Sequence, residues 1–147
     1  DPSYMALDAD KLFVLSSSDE GGVKAYNFDR KREVLRPIGG VDMLGKAPCH
    51  LYFDRGKSLI YASNYHLGRL DILFLNEDGL SLAGSICLEG RGPISPNQYG
   101  PRCHMAIKDP SDRFTLVVNL GGDRAPDILI ESCSFFRTAR EINAPTT

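Results

Sequence analysis

The residues best suited to chemistry in this chain are three histidines, four cysteines and a few arginines, at spacings that matter more than their number. Two Cys-His pairs, Cys49-His50 and Cys103-His104, each follow shortly after a proline, Pro48 and Pro101. Histidine titrates near neutrality, so His104 could act as a general base. Arg102 and Arg124 carry planar forks that could hold a carboxylate or phosphate. Gln98 lies in a long Gly- and Pro-rich stretch, 90–100, and unstructured loops of that length are often functional. The histidines and cysteines show no zinc spacing and no CxxC pair, so no metal and no cofactor is expected. A nucleophile elbow of the Gly-x-Ser-x-Gly type and a P-loop are both absent.

The elements that must position these groups follow from a threefold repeat. A proline opens a short apolar strand, a polar turn and a second strand at Pro2 (PSYMALDADKLFVLSSS), Pro48 (PCHLYFDRGKSLIYASN) and Pro101 (PRCHMAIKDPSDRFTLVVN). The starts lie 46 and 53 residues apart, the period of a β-propeller blade. In the first unit, strands are predicted at 4–8, 12–16 and 23–28, with a short fourth around Val34-Leu35. In the second they are predicted at 50–53, 58–63, 69–75 and 80–86, the last pair joined by the hairpin signal Asp78-Gly79. The third unit supplies 104–108 and 114–118; Pro126 then delays its third strand to 127–131, because proline lacks the ladder donor. Residues 133–136 could join a fourth strand, and 141–147 read as a loop. No helical periodicity of useful length occurs.

The fold class is therefore all-β: a β-propeller of antiparallel four-stranded blades, with approximate blades 2–47, 48–100 and an incomplete 101–147. About three blades do not close a ring of the usual 4–8. The missing blades are expected from the rest of a longer chain. Net charge is −2, from 17 basic and 19 acidic residues without long like-charge runs, so neither nucleic acid nor a membrane surface is an expected partner. No apolar stretch approaches the roughly 18 residues of a membrane span. Without paired spacing the cysteines read as reduced thiols and small packing groups, which points to the cytoplasm.

Residues 2 to about 124 resemble the lactonase family of seven-bladed propellers. The likeness rests on PSYMALDADKLFVLSS, on GKAPCHLYFDRGKSLIYASNYHLGRLDIL and on GRGPISPNQYGPRCHMAIKDPSDRFTLVVNLGGDR. The third stretch follows a family run of Gly-x-Gly-Pro, Arg-Gln, Pro-His-x-His, Asp-Pro-x-x-Arg-Phe and Asp-Leu-Gly-x-Asp-Arg. Asn97 stands where the family has arginine before Gln98, Arg102 where it has the first histidine of Pro-His-x-His, and Asn119 where it has aspartate. His104 keeps the second histidine.

The resemblance implies hydrolysis of a sugar-acid lactone such as 6-phosphogluconolactone, a small-molecule partner. Lactone opening needs a base to activate water and a cation to hold the oxyanion. His104 matches the base, and Arg102, Arg124, His50, Asn64 and Gln98 could contact substrate. Structural readings stand beside each of these. His104 could instead be a strand-end histidine bonded to loop backbone, and His50 occupies the place of Tyr4 in the first unit, where packing suffices. Asn64, of the family pair Asn64-Tyr65, could bond its own turn, and Asp123-Arg124 could be an ion pair at a hairpin. His66 is expected in a solvent-exposed turn. The departures at Asn97, Arg102 and Asn119 also fit a propeller scaffold or a truncated product without catalysis.

Overall fold

In the computed structural model the described residues are 2–17, 20–42, 45–94, 96–122 and 127–128. They form eleven strands and no helix: β1 (Pro2–Asp8), β2 (Lys11–Ser16), β3 (Gly22–Asp29), β4 (Val34–Val41), β5 (His50–Asp54), β6 (Leu59–Asn64), β7 (Arg69–Asn76), β8 (Gly79–Cys87), β9 (Cys103–Lys108), β10 (Thr115–Asn119) and β11 (Asp127–Ile128). Each sheet is an antiparallel meander, ordered β1-β2-β3-β4, β5-β6-β7-β8 and β9-β10-β11. The all-β reading and the four-stranded antiparallel blade both hold. The turns repeat as well: the first hairpin of each sheet puts a non-glycine residue at positive φ, namely Ala9, Ser58 and Asp112.

The short fourth strand expected at Val34-Leu35 is in fact eight residues long and runs through Pro37. β4 is an edge strand, where proline's missing donor leaves no ladder bond broken. A register shift between Ala25 and Tyr26 takes up the irregularity, and β8, the edge strand of the second sheet, has a matching shift opposite Ile72 and Leu73. Of the delayed third strand expected over 127–131, Asp127–Ile128 is seen, with Asp127 paired with Leu116, and 129–131 lie outside the described residues. The expected segments 133–136 and 141–147 lie outside the described residues.

Burial follows the stacking of the sheets. Phe13, Leu15, Val23 and Ala25 of the first sheet pack against Leu51, Ile60, Ala62, Leu73 and Leu80 of the second. On the opposite face of the second sheet, Leu59, Tyr61, Leu70 and Ile72 pack with Cys103, Ala106 and Val117 of the third. Successive side chains alternate across a strand, so Ile60 and Ala62 serve one interface while Leu59 and Tyr61 serve the other. β6, covered on both faces, is buried at every position. The alternation is a period-2 pattern, yet the strand itself reads as a continuous buried run.

Strands β1, β5 and β9 are the first of their sheets and neighbour one another in turn. Their far ends are tied by ion pairs that repeat from sheet to sheet. Asp8 at the end of β1 receives the Arg55 guanidinium at 2.6 and 2.7 Å. Asp54 at the end of β5 receives Lys108 Nζ at 2.9 Å, and Lys108 also meets Asp112. At the near ends, glycines permit close approach. Gly21 and Gly68, each in the turn after its sheet's second strand, have φ of +67° and +60°. They press against Ala47 and Pro101, the residues that lead into the next sheet's first strand.

Candidate functional site

The near ends of the three first strands open on a pocket of about 550 Å³. Its wall combines Ser3 of β1, Ser17 after β2, Lys46-Ala47-Pro48-Cys49 before β5, Tyr65 and His66 from the turn after β6, and His104 of β9. The geometry follows from the repeat: each sheet delivers the start of its first strand to the same end. Lys46 is the one charged lysine or arginine of this wall, and no carboxylate lines it among the described residues. A lysine ammonium on the wall offers an anion one favourable partner.

His104 is exposed to the pocket. Its ring lies 6.1 Å from the Tyr65 ring, edge to face, and its Nδ1 is 3.8 Å from Cys49 Sγ. His50 is half-buried behind it, with its ring 5.1 Å from that of Tyr4. The two residues that hold equivalent places in the repeat thus meet across adjacent strands. Burial, and then the proximity of His104, holds His50 below the ordinary histidine range. That favours a neutral ring at His50. Burial likewise pushes the Cys49 thiol up, and takes the fully buried Cys103 thiol up to about 12.

The remaining expected site residues that the structure describes are not on the pocket wall. Asn64 is fully buried; its Nδ2 donates to Lys46 O at 2.8 Å and its Oδ1 accepts from Leu67 N–H at 3.1 Å. It braces the Lys46 backbone from behind. Arg102 lays its guanidinium over the Tyr65 ring at 5.3 Å and donates to His66 O at 3.4 Å. Gln98, buried, accepts from Ile94 N–H at 3.0 Å and donates to Leu120 O at 3.2 Å, pinning the long loop. Asn119 bonds the backbone of Arg102, Gly122 and Glu89. Asn97 is exposed in the same loop. Arg124 and its proposed partner Asp123 lie outside the described residues. His66 is exposed, as expected, and it also lines the pocket.

Tyr65, of the pair Asn64-Tyr65, does line the pocket, while Ser3, Ser17 and Lys46 join it without any motif that marks them as wall residues. The available signal is positional: the residues just before a repeat's first strand, and just after its second, come to the same end. Among the described residues, no group of three or more His, Cys, Asp or Glu is placed to hold a metal ion. No helix of the described residues is long and apolar enough to cross a membrane.

Comparison with known proteins gives this pocket a context. The family model described as "Lactonase, 7-bladed beta-propeller" matches residues 1–126. A 6-phosphogluconolactonase of Bacillus subtilis is 29% identical over 128 residues, covering 84% of this chain and 36% of the relative. A crystal structure of a putative 6-phosphogluconolactonase from Bacteroides fragilis superposes with a TM-score of 0.79 at 27% identity, over 90% of this chain and 38% of that one. A protein from Lactobacillus plantarum superposes with a TM-score of 0.82 at 28% identity, over 93% and 40%. The chain spans a little over a third of the length of the curated relatives it matches.

Proposed function

The chain belongs to the lactonase family of seven-bladed propellers, and we propose that the complete protein opens a sugar-acid lactone in the pocket bordered by His104 and Lys46. The observation that carries this reading is the exposed imidazole of His104 on the wall of a pocket with cationic and no anionic lining groups among the described residues. His104 takes a proton from water as the water oxygen attacks the ring carbonyl. The ring C–O bond then breaks, and the leaving alkoxide takes the proton back, so the product is a hydroxy acid. Lys46 offers an ammonium to the oxyanion or to an acidic substituent of the substrate. Its name in the Bacillus relative supports 6-phosphogluconolactone as a substrate, an anion suited to such a wall.

Arg102 and Asn64 act on this reading through the wall, Arg102 by holding Tyr65 and His66, Asn64 by holding Lys46. His50, kept neutral by burial, supports the first-strand contact with Tyr4. A cytoplasmic location belongs to the same reading; the free thiols Cys49, Cys87 and Cys103 support it. The test is full-length protein with His104→Ala, assayed for lactone opening above the spontaneous rate. Removing a general base is expected to cost about 10²–10⁴-fold. Unchanged turnover would remove His104 from the mechanism. No turnover by the unaltered protein on any lactone of a sugar-acid panel would favour a scaffold, a reading that the engagement of Arg102 with Tyr65 and His66 also supports.

A further inference from the structure

The least expected neighbour of His104 is a thiol. Cys49 Sγ stands within hydrogen-bonding reach of three carbonyl oxygens, His104 O at 3.3 Å, Ser63 O at 3.4 Å and Cys103 O at 3.6 Å. It also faces His104 Nδ1 at 3.8 Å. A thiol has one proton, and a carbonyl oxygen can only accept. All three carbonyls are nearer than the imidazole nitrogen, so the thiol proton goes to the carbonyl side. The sulfur then presents lone pairs, not a proton, to Nδ1. A bare Nδ1 there would set lone pair against lone pair. A protonated Nδ1 donates to sulfur instead.

From this arrangement we infer that Cys49 is a positioning residue that holds His104 in the Nδ1–H tautomer, leaving its Nε2 as the basic nitrogen. The contact orders the ring as well, since Nδ1 is tethered on one side while Tyr65 meets the ring edge to face. Backbone N–H groups of Tyr65 and Cys49 favour a thiolate at this sulfur, but the three carbonyl oxygens oppose one. Burial raises the thiol in the same direction. The catalytic consequence rests on the reading of His104 as the base, but the tautomer itself can be measured without turnover.

The experiment is long-range ¹H–¹⁵N correlation of histidine side chains in the full-length protein labelled with ¹⁵N-histidine. Spectra are recorded near pH 8, roughly a unit or more above the ordinary histidine range. A His104→Gln sample identifies the His104 signals. In unaltered protein, His104 is expected in the Nδ1–H pattern. In Cys49→Ala the population is expected to move at least several-fold toward Nε2–H, the form that imidazole favours in water. Cys49→Ser, which keeps one proton and two lone pairs, is expected to restore Nδ1–H. An Nε2–H pattern in unaltered protein, or the same tautomer in Cys49→Ala, would overturn the inference. On a lactone that the protein opens, kcat is expected to fall in Cys49→Ala and recover in Cys49→Ser, with KM little changed. A tautomer shift without loss of kcat would uphold the role of Cys49 and count against His104 as the base.

Discussion

Replacing Gly68 with alanine tests how the fold delivers the site. Gly68 has φ of +60°, and a Cβ on it would lie 2.6 Å from Pro101 O and 2.8 Å from Pro101 Cγ. Ordinary contact starts at 3.4 Å, so the backbone before β9 must retreat by about 0.8 Å or the turn must open. The left-handed conformation costs an alanine roughly 1–2 kcal/mol, and overpacking against backbone adds roughly 1–3 kcal/mol. The expected loss is about 3 kcal/mol, read as a shift in the urea midpoint by circular dichroism. Gly100→Ala is the matched control, since a Cβ there meets nothing within 4 Å. Pro101 precedes His104 by three residues, so a retreat of this size moves the His104 ring, the proposed base. A displacement near 1 Å can cost about 10²-fold in rate, and a loss of at least tenfold in lactone opening is expected. Gly68→Ala with the stability and turnover of Gly100→Ala would refute the idea that this contact sets the start of β9.

Lys108→Met should destabilise the protein by about 3–5 kcal/mol, because Asp54, 2% exposed, would keep a buried charge without its 2.9 Å partner. Loss of the exposed Arg55 from Asp8 should cost far less in the same urea titration, and equal losses would contradict the difference in burial. Tyr61 gives an alkaline signature, since burial pushes its phenol from 10.0 up to about 12. The unfolded chain releases that proton first, so stability is intact below pH 10 and falls as pH rises toward 12, by roughly 2–3 kcal/mol in all. Tyr61→Phe should flatten that part of the stability–pH curve, and an unchanged slope would rule Tyr61 out as its source.

Much of the architecture was legible because the repeat states the same local instructions three times. Polar turns between apolar strands, and Asp-Gly before β8, fix hairpins through backbone preference alone, and such signals need no tertiary context. β4 was legible only in part. Its proline and glycines argue against a strand when read locally, and only its place at a sheet edge makes them harmless. β6 shows the opposite limit. Its sequence, LIYASN, alternates between two interfaces that both exclude water, a fact set by the neighbouring sheets rather than by the strand.

The site was legible where chemistry and repeat position coincide, and opaque where they part. His104 has a titrating ring and stands in the repeat's first strand, so both lines of reasoning reach it. Gln98, Asn64 and Asn119 are polar residues in loops and strand ends, which makes them equally good candidates for substrate and for backbone. Their burial decides the matter locally: a buried amide must satisfy its own donors and acceptor, and the nearest partners are Leu120 O, Lys46 O and Glu89 O. These amides shape the pocket by holding the segments that carry Lys46, Arg102 and the long loop. Cys49 goes the other way. A cysteine reads as a small packing group in sequence, yet one residue before β5 it reaches the neighbouring strand's histidine, because β5 and β9 are adjacent. Contacts between residues of successive repeats, which no single repeat contains, make this packing residue a neighbour of His104.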